Sequence, residues 1–395
     1  LGHRVVVVGA SLGGLRSSEQ LRAAKYDGEI VVIGDEPHMP YNRPPLSKEA
    51  LSGEVPFETV ELRRRKTVAD VTWRLGSAVL RADLRERRVV LADGSELSYD
   101  GLVVASGLRP RSLGLPGPRD GRHVVRTLDD ALRLRAALTP GARVVIVGAG
   151  FIGCEVAATA VKLGCDVEVV AADPTPMIRP LGAELGEAMR RRHEREGVRF
   201  RLGHTITEVH GGLRVAGVVL DDGTALPCDV LVEALGSLVN VEWLEGNGLD
   251  LSDGVLCDNH MRVESRPEVV AVGDVARFPN PLFDDVPRRV EHWNIPTDTA
   301  KRAGPVLAAH LRGEPAPATP FAPMPSFWSD QYGLRIQSFG APDLGEPRVL
   351  EGDLDGEVVV GYFRGDRLVG VVAVGLLERA MHYRGEIAAQ APEPA

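Results

Sequence analysis

The chain is short of cysteine, of aromatic residues and of long apolar runs. Only four of its 395 residues are Cys (Cys154, Cys165, Cys228 and Cys257), and no two of them form a C-x-x-C pair. This argues against structural disulfides, a zinc site or a protein-bound iron–sulfur cluster, and fits a reducing cytoplasm. No apolar run reaches the roughly 18 residues of a membrane span. No secretory leader is expected, because the first apolar run already reads as a strand. The chain opens at Leu1 rather than Met, as expected of a trimmed or replaced N-terminus. Positive charge is in deficit. The 46 Lys and Arg stand against 55 Asp and Glu, a net charge of −9, so nucleic acid and anionic membranes are poor partners.

Glycine, by contrast, is plentiful, and two clusters of it stand out. Val5–Val8 runs into Gly9-Ala10-Ser11-Leu12-Gly13-Gly14, and Val144–Val147 runs into Gly148-Ala149-Gly150-Phe151-Ile152-Gly153. Each is a β-branched strand, a Gly-rich turn and the start of a helix. Such a turn aims backbone N–H groups and a helix N-terminus at a pyrophosphate. One copy implies one dinucleotide. Two copies imply two, and electron transfer between them. In the first turn Gly9 and Gly14 keep the pattern, while Ser11 takes the middle place and is small enough for a pyrophosphate to approach. Asp35, just past the second strand, is placed to accept hydrogen bonds from an adenosine ribose. In the second turn Gly148, Gly150 and Gly153 are all present. Its partner strand ends in Ala171-Ala172-Asp173 rather than in an acid, and Arg179 lies a few residues on. A nicotinamide dinucleotide is therefore expected there, with NADH and NADPH both open.

The length implies two or three domains. The first unit reads strand (4–8), helix (about 13–24), strand (29–33). Residues 35–48 hold Pro37, Pro40, Pro44 and Pro45, which predicts an ordered loop rather than a helix. Hairpins are predicted over 88–98 and 214–227, and apolar strands over 102–105 and 230–234. Their parallel order signals an internal duplication. A third strand, 269–272, ends at Gly273-Asp274. Residues 313–325 read as a linker. The last 70 or so residues alternate strand and turn signals as a small mainly antiparallel unit with a loose tail from Gln390. The runs Arg63–Lys66 and Arg190–Arg192 read as solvated helix faces.

Several further segments carry a resemblance. They are Gly34-Asp35-Glu36, Tyr41-Asn42-Arg43-Pro44-Pro45-Leu46-Ser47-Lys48, Arg126-Thr127-Leu128-Asp129-Asp130-Ala131, Ala271-Val272-Gly273-Asp274, Arg289-Val290-Glu291-His292-Trp293 and Phe327-Trp328-Ser329-Asp330-Gln331-Tyr332. With the two glycine turns, they resemble the FAD-dependent ferredoxin (redoxin) reductases of bacterial oxygenase systems, over almost the whole chain. The resemblance implies an α/β fold of two Rossmann-like, glutathione-reductase-like dinucleotide-binding domains and a small α+β C-terminal domain. It implies a discontinuous FAD domain (1–112 and 241–318), an NAD(P)H domain (113–240) and an interface domain (319–395).

By position, the resemblance implies that Gly9, Ser11, Gly14, Asp35, Arg43, Lys48, Val79, Ser106, Gly107, Arg126, Gly273, Asp274 and Trp293 contact a non-covalent FAD, with Asp274 opening a helix. It implies that Gly148, Gly150, Phe151, Ile152, Gly153, Ala171, Arg179 and Gly236 contact NADH or NADPH. Lys48 and Glu155 are implied as the catalytic pair beside the reactive ring atoms, with no metal. A Lys there offsets the charge of reduced flavin, and Glu155 holds the Lys.

Two departures stand out. Ala105-Ser106-Gly107 replaces the usual Ala-Thr-Gly. Ala234-Leu235-Gly236-Ser237-Leu238-Val239-Asn240 lacks the usual first Gly and Pro. The implied partner is an acidic 2Fe–2S ferredoxin docking transiently near Trp293, Lys301, Arg302 and Trp328. Disulfide reductases need a redox Cys pair and peroxidase relatives a Cys near residues 40–50, and this chain has neither. The C-terminal tail offers no membrane anchor for a quinone reductase. The reading from another class is a redox-sensing interaction protein similar to apoptosis-inducing factor, which turnover with an acceptor would separate.

Overall fold

The run Val5–Val8 is apolar on both faces, and such a strand belongs inside a parallel sheet covered on both sides. The computed structural model, which describes residues 3–53, 55–264 and 266–391, places it there. Arg4–Val8 is an inner strand of a six-stranded sheet ordered Arg262–Val263, Arg266–Ala271, Gly101–Val104, Arg4–Val8, Glu29–Ile33, Thr72–Arg74. All pairings are parallel except the edge pair formed by Arg262–Val263 and Arg266–Ala271. Val5, Val6 and Val7 are fully buried.

The second sheet repeats the arrangement around Arg143–Val147. Its order is Arg199–Leu202, Asp166–Ala171, Arg143–Val147, Val230–Glu233, Arg122–His123, all parallel. Each sheet carries a three-stranded antiparallel meander before its third core strand. These are Val79–Asp83, Arg88–Leu91, Glu96–Ser98 in the first and Ile206–Gly211, Val215–Leu220, Ala225–Pro227 in the second. The hairpins read from the sequence thus each gain one strand. A third sheet, antiparallel, is ordered Ser326–Gln331, Leu334–Gly340, Arg367–Val374, Val358–Arg364, Glu346–Gly352, and helix Leu377–Ala388 packs on it.

Four expectations need correction. Residues 35–48 are not all loop: Pro44–Ser47 forms a 3-10 turn, because two prolines preset the tight φ at its start. Asp274 does not open a helix. It sits in the single 3-10 turn Gly273–Val275, which passes into strand Ala276–Asn280. Arg63–Arg65 lie outside any helix, and Arg190–Arg192, all on helix Ala183–Arg195, are half-buried rather than a solvated face; Arg190 pairs with Glu187 and Glu194 of the same helix. Arg191 pairs with Asp355, and Arg192 donates to the carbonyl of Leu354, so the helix docks on the third sheet's turn. The tail is tied at Gln390, which accepts from Arg367 and donates to the Leu368 carbonyl; residues 392–395 lie outside the described residues.

Two glycines of the second turn do two different jobs. A Cβ built on Gly153 would lie 2.1 Å from the Gly148 carbonyl oxygen, whereas one on Gly150 would meet nothing within 4 Å. The third glycine lets helix and strand close; the second leaves open space. Gly153→Ala should therefore lose about 3 kcal/mol or more of stability in chemical denaturation. Gly150→Ala should stay within about 1 kcal/mol.

Candidate active site

Both turn-to-helix joints leave their first amides uncapped by side chains. Ser11 precedes helix Leu12–Ala23 and Gly150 precedes helix Phe151–Lys162, and neither makes a side-chain cap. Helix Leu128–Ala137, by contrast, closes its first turn with a Thr127–Asp130 capping box. Free amides at a helix N-terminus attract an anion. The Ser11 hydroxyl turns instead toward Arg43, 3.4 Å away.

Arg43 lies across the first cradle. Its guanidinium donates to Glu36 at 2.5 Å, to Tyr41 Oη at 3.0 Å and to the Arg126 carbonyl at 2.7 Å. Tyr41 Oη donates to the other Glu36 oxygen and accepts from the Leu128 amide. Glu36 and Tyr41 thus clamp Arg43, a role that their motif positions alone did not disclose. Asp35 stands exposed at the strand's end. The backbone of 76–77 bonds to Gly34 and Glu36, which brings the start of the Val79 strand beside them.

Next to Arg43, which bonds the Arg126 carbonyl, Arg126 Nη2 and Asp274 Oδ2 are 3.6 Å apart. Burial pushes the Asp274 carboxyl up and the Arg126 guanidinium down. Both remain partly reachable by solvent, as expected of groups walling a cleft. Gly107 lies beneath Arg126, where an added Cβ would approach Nη2 at 3.7 Å. The Ser106 hydroxyl is already used: it donates to the Asn240 carbonyl at 2.6 Å and accepts from Trp243 Nε1. Its side chain pins the crossover between Leu108–Pro110 and Ser237–Val239, and Gly236 accepts from the Arg111 amide in the same crossover.

Gly273 donates its amide to Thr299, and Trp293, half-buried, leads into helix Ile295–Leu311. Beside it the His292 Nδ1 is buried with no partner, and burial pushes that imidazole down to about 4. An orphaned buried nitrogen, a partly exposed Arg–Asp pair and uncapped helix amides fit a flavin dinucleotide.

Lys48 and Glu155, 107 positions apart in sequence, meet in space. Nζ lies 3.0 Å from Oε2, and both side chains are largely buried. Glu155 Oε2 also accepts from Ser47 Oγ at 2.5 Å, and Oε1 accepts from Ser329 Oγ at 2.6 Å. Phe151, first residue of the second helix, packs its ring 4.8 Å from Phe327, and Phe327 lies 5.1 Å from His292. The pair and this aromatic row therefore sit where the two cradles and the third sheet converge. Ser47, Phe327 and Ser329 belong to motifs visible in the sequence, yet nothing in the sequence showed that they meet. Strand alternation explains the grouping. Phe327, Ser329 and Gln331 share one face of their strand, while Trp328 lies on the other.

At the second cradle Ile152 is exposed and Gly236 has open space around it. Ala171 is buried in the core of its sheet, so the exposed residues at that strand's end are Ala172 and Asp173. Arg179 is exposed on the short helix Ile178–Leu181. Of the two docking cations, one expectation changes. Lys301 is exposed and pairs with Asp298 at 3.2 Å. Arg302 is buried and donates to the Asn259 carbonyl, with burial pushing it down, so it is no projecting surface charge. Both line a cleft of about 630 Å³ with Asn294, Ser326, Phe339 and Arg384.

Comparison with known proteins agrees with this geometry. The model for pyridine nucleotide-disulphide oxidoreductases matches residues 3–300, and the reductase C-terminal model matches 326–395. The chain belongs to the pyridine nucleotide-disulphide oxidoreductase family. It is similar to reductases of oxygenase systems. Rhodocoxin reductase of Rhodococcus erythropolis is 34% identical over 98% of this chain and 90% of its own. The anthranilate 1,2-dioxygenase system ferredoxin–NAD(+) reductase component of Burkholderia cepacia is 36% identical over 98% and 95%. Among solved structures, the covalent putidaredoxin reductase–putidaredoxin complex superposes with a TM-score of 0.90 at 30% identity, over 98% of this chain and 93% of the matched one.

Buried His193, on helix Ala183–Arg195, gives a pH prediction. Burial lowers it from 6.5 to about 4. The unfolded chain therefore takes up the proton first as pH falls. The stabilising contribution is full above pH 6.5 and is lost as pH drops toward 4. Between pH 7.5 and 5 this one group should remove about 2 kcal/mol. Denaturation of His193→Gln should show a correspondingly shallower pH dependence.

Proposed function

We propose that this chain is the reductase component of an oxygenase system. It takes electrons from NADH through non-covalent FAD and delivers them to an acidic 2Fe–2S ferredoxin that serves a mono- or dioxygenase. The observation that carries the reading is the Lys48–Glu155 ion pair, which ties the loop of the first cradle to the helix of the second. FAD, when bound, supplies the step-down from a two-electron hydride donor to a one-electron acceptor.

The residues of the chain hold and tune the site. Gly9, Ser11 and Gly14 admit the flavin nucleotide's pyrophosphate to the first helix. Asp35 and the start of the Val79 strand would hold its adenosine. Arg43, Arg126, Gly107, Gly273, Asp274 and Trp293 line the remainder of the cleft. Gly148, Gly150, Phe151, Ile152 and Gly153 do the same for the nicotinamide nucleotide, with Gly236 at its edge. Lys48 places an ammonium where negative charge develops on reduction, and Glu155 orients it. The exposed carboxylate of Asp173 favours NADH, while Arg179 leaves NADPH usable.

The same reading divides the chain into a flavin unit (1–112 and 241–318), a nicotinamide unit (113–240) and a partner-facing unit (319–395). Disulfide exchange is disfavoured: the four cysteines are buried and unpaired, and burial pushes all four thiols up, Cys228 to about 11. No helix among the described residues is long and apolar enough to cross a membrane.

The partner face follows from charge. The cleft between helix Ile295–Leu311 and the third sheet presents Lys301 and Arg384 against the single acid Asp298, with Arg302 buried in its wall, on a chain of net charge −9. Ser326 lines it, and Trp328 shares the Ser326 face of its strand. A local cationic patch on an acidic protein suits an acidic carrier.

Steady-state assays of NADH against ferricyanide and against a 2Fe–2S ferredoxin test the whole reading, with turnover expected on both. A protein that stays colourless after FAD addition, or that reduces neither acceptor, would refute it.

Lys48→Ala should slow flavin reduction by NADH at least about tenfold, or ~1.4 kcal/mol, while FAD affinity changes less. Stopped-flow reduction at the wild-type rate would leave Lys48 as a loop residue.

Lys301→Glu with Arg384→Glu should slow ferredoxin reduction about tenfold at low salt and leave ferricyanide reduction unchanged. The difference should shrink toward 1 M salt, where the Debye length falls to about 3 Å. Equal slowing of both acceptors would move the docking face elsewhere.

A further inference from the structure

The Glu155 carboxylate is the end of a longer buried chain. Ser329 Oγ, which bonds Glu155 at 2.6 Å, lies 3.0 Å from Gln331 Nε2. Gln331 Oε1 lies 2.7 Å from His193 Nε2, and His193 Nδ1 lies 2.6 Å from Tyr332 Oη. Ser329 and His193 have no solvent exposure, and Gln331 has 2%. The links cross the molecule. Glu155 and His193 stand on helices beside the second sheet, and Ser329, Gln331 and Tyr332 come from the first strand and turn of the third.

Proton counting fixes the direction of every link. Ser329 has one hydroxyl proton, and the carboxylate can only accept it. Ser329 must then accept from the Gln331 amide, so Gln331 presents its carbonyl oxygen to His193. His193 must donate from Nε2, and its Nδ1 is left to accept from Tyr332. All four bonds therefore point toward Glu155, and bonds aligned in one sense polarise one another. The chain does not carry protons onward, because the Gln331 amide does not release and regain one readily. It orients. Burial, which drives His193 down to about 4, keeps the imidazole in the neutral form that this direction needs.

An independent feature marks the far end. Tyr332 has φ of 55°, and with Gly333 it makes the two-residue connection between Ser326–Gln331 and Leu334–Gly340. That left-handed position favours Asn before Gly and disfavours a bulky ring. A strained residue persists where the surroundings over-determine it. Here the strain coincides with a hydroxyl delivered to His193.

We infer that Ser329, Gln331, His193 and Tyr332 are positioning residues for the proposed NADH-to-flavin step, acting through Glu155 to hold the Lys48 ammonium in place. The inference rests on the functional reading above, so the test carries a separate arm for each. All variants are made in the FAD-loaded full chain and assayed by stopped-flow reduction at saturating NADH. Glu155→Gln tests the reading itself and should slow reduction at least tenfold. Ser329→Ala should slow it about tenfold, Gln331→Met about fivefold and Tyr332→Asn two- to threefold, with KM for NADH within twofold throughout. Tyr332→Phe, which keeps the ring and loses only the hydroxyl, should match Tyr332→Asn.

Tyr332→Asn relieves the left-handed strain, so its melting temperature should equal or exceed the wild type even as the rate falls. A purely structural role predicts no rate change for that variant. The second readout is the 15N spectrum of His193 in the protein without NADH. It should show a single tautomer protonated on Nε2, which Tyr332→Phe perturbs.

Slow Glu155→Gln with wild-type rates in Ser329→Ala and Tyr332→Asn would overturn the chain and leave the site reading standing. A wild-type rate in Glu155→Gln would overturn the site reading and the positioning role together. A His193 proton on Nδ1, or a tautomer mixture, would overturn the chain whatever the rates.

Discussion

A buried carboxylate shared by three parts of the chain holds this molecule's centre. Glu155 is 4% exposed and accepts from Ser47, Lys48 and Ser329. Taking an ion pair out of water costs several kcal/mol per ion, and its mutual attraction offsets this only when the remaining lone pairs are also satisfied. Here they are, by two hydroxyls donated from opposite sides. Removing one partner would strand a buried charge, a loss of about 3–5 kcal/mol. The arrangement therefore demands that the first cradle's loop, the second cradle's helix and the third sheet meet in one geometry. Phe151, Phe327 and His292 pack along the same junction.

Around that centre the chain uses one device twice. In both sheets a core strand ends in a glycine of positive φ, Gly9 at 121° and Gly148 at 106°, and the fifth residue on is the glycine that lets the helix close on the strand. The copies differ where the ligands would. The first carries a Ser whose hydroxyl is oriented by a clamped Arg43, while the second keeps a Gly with open space beside it. The first cleft is also walled by Arg126 and Asp274. A tightly walled cleft suits a resident dinucleotide, and an open one suits a dinucleotide that comes and goes.

Charge is organised on a coarser scale. Many surface cations are paired with neighbouring acids, as Arg143 with Asp229 and Arg335 with Asp330, and such surface pairs contribute little to stability. The cleft beside helix Ile295–Leu311 departs from this balance with more cations than acids. Because fields add over distance, a small local excess suffices to orient an approaching acidic protein even when the net charge has the opposite sign.

The sequence by itself determined the two cradles and the duplicated sheets, which follow from local rules: glycine spacing, β-branched runs and turn residues act within about ten positions. The candidacy of Lys48, Glu155 and Asp274 came with the resemblance and its long motifs. Only the tertiary structure decided which of those residues share a site. Ser47, Glu155, His193 and Ser329 are joined across 108 to 174 positions for the bonds at Glu155 and 138 for His193 to Gln331. No local pattern encodes such meetings, because they depend on how three sheets pack. The same packing buried Arg302, whose sequence position suggests a docking charge, and Ala171, which stands where an acid would face a ribose. The Gly273–Val275 turn likewise passes straight into a strand rather than a helix. Local geometry is set by neighbours in sequence; burial and partnership are set by neighbours in space.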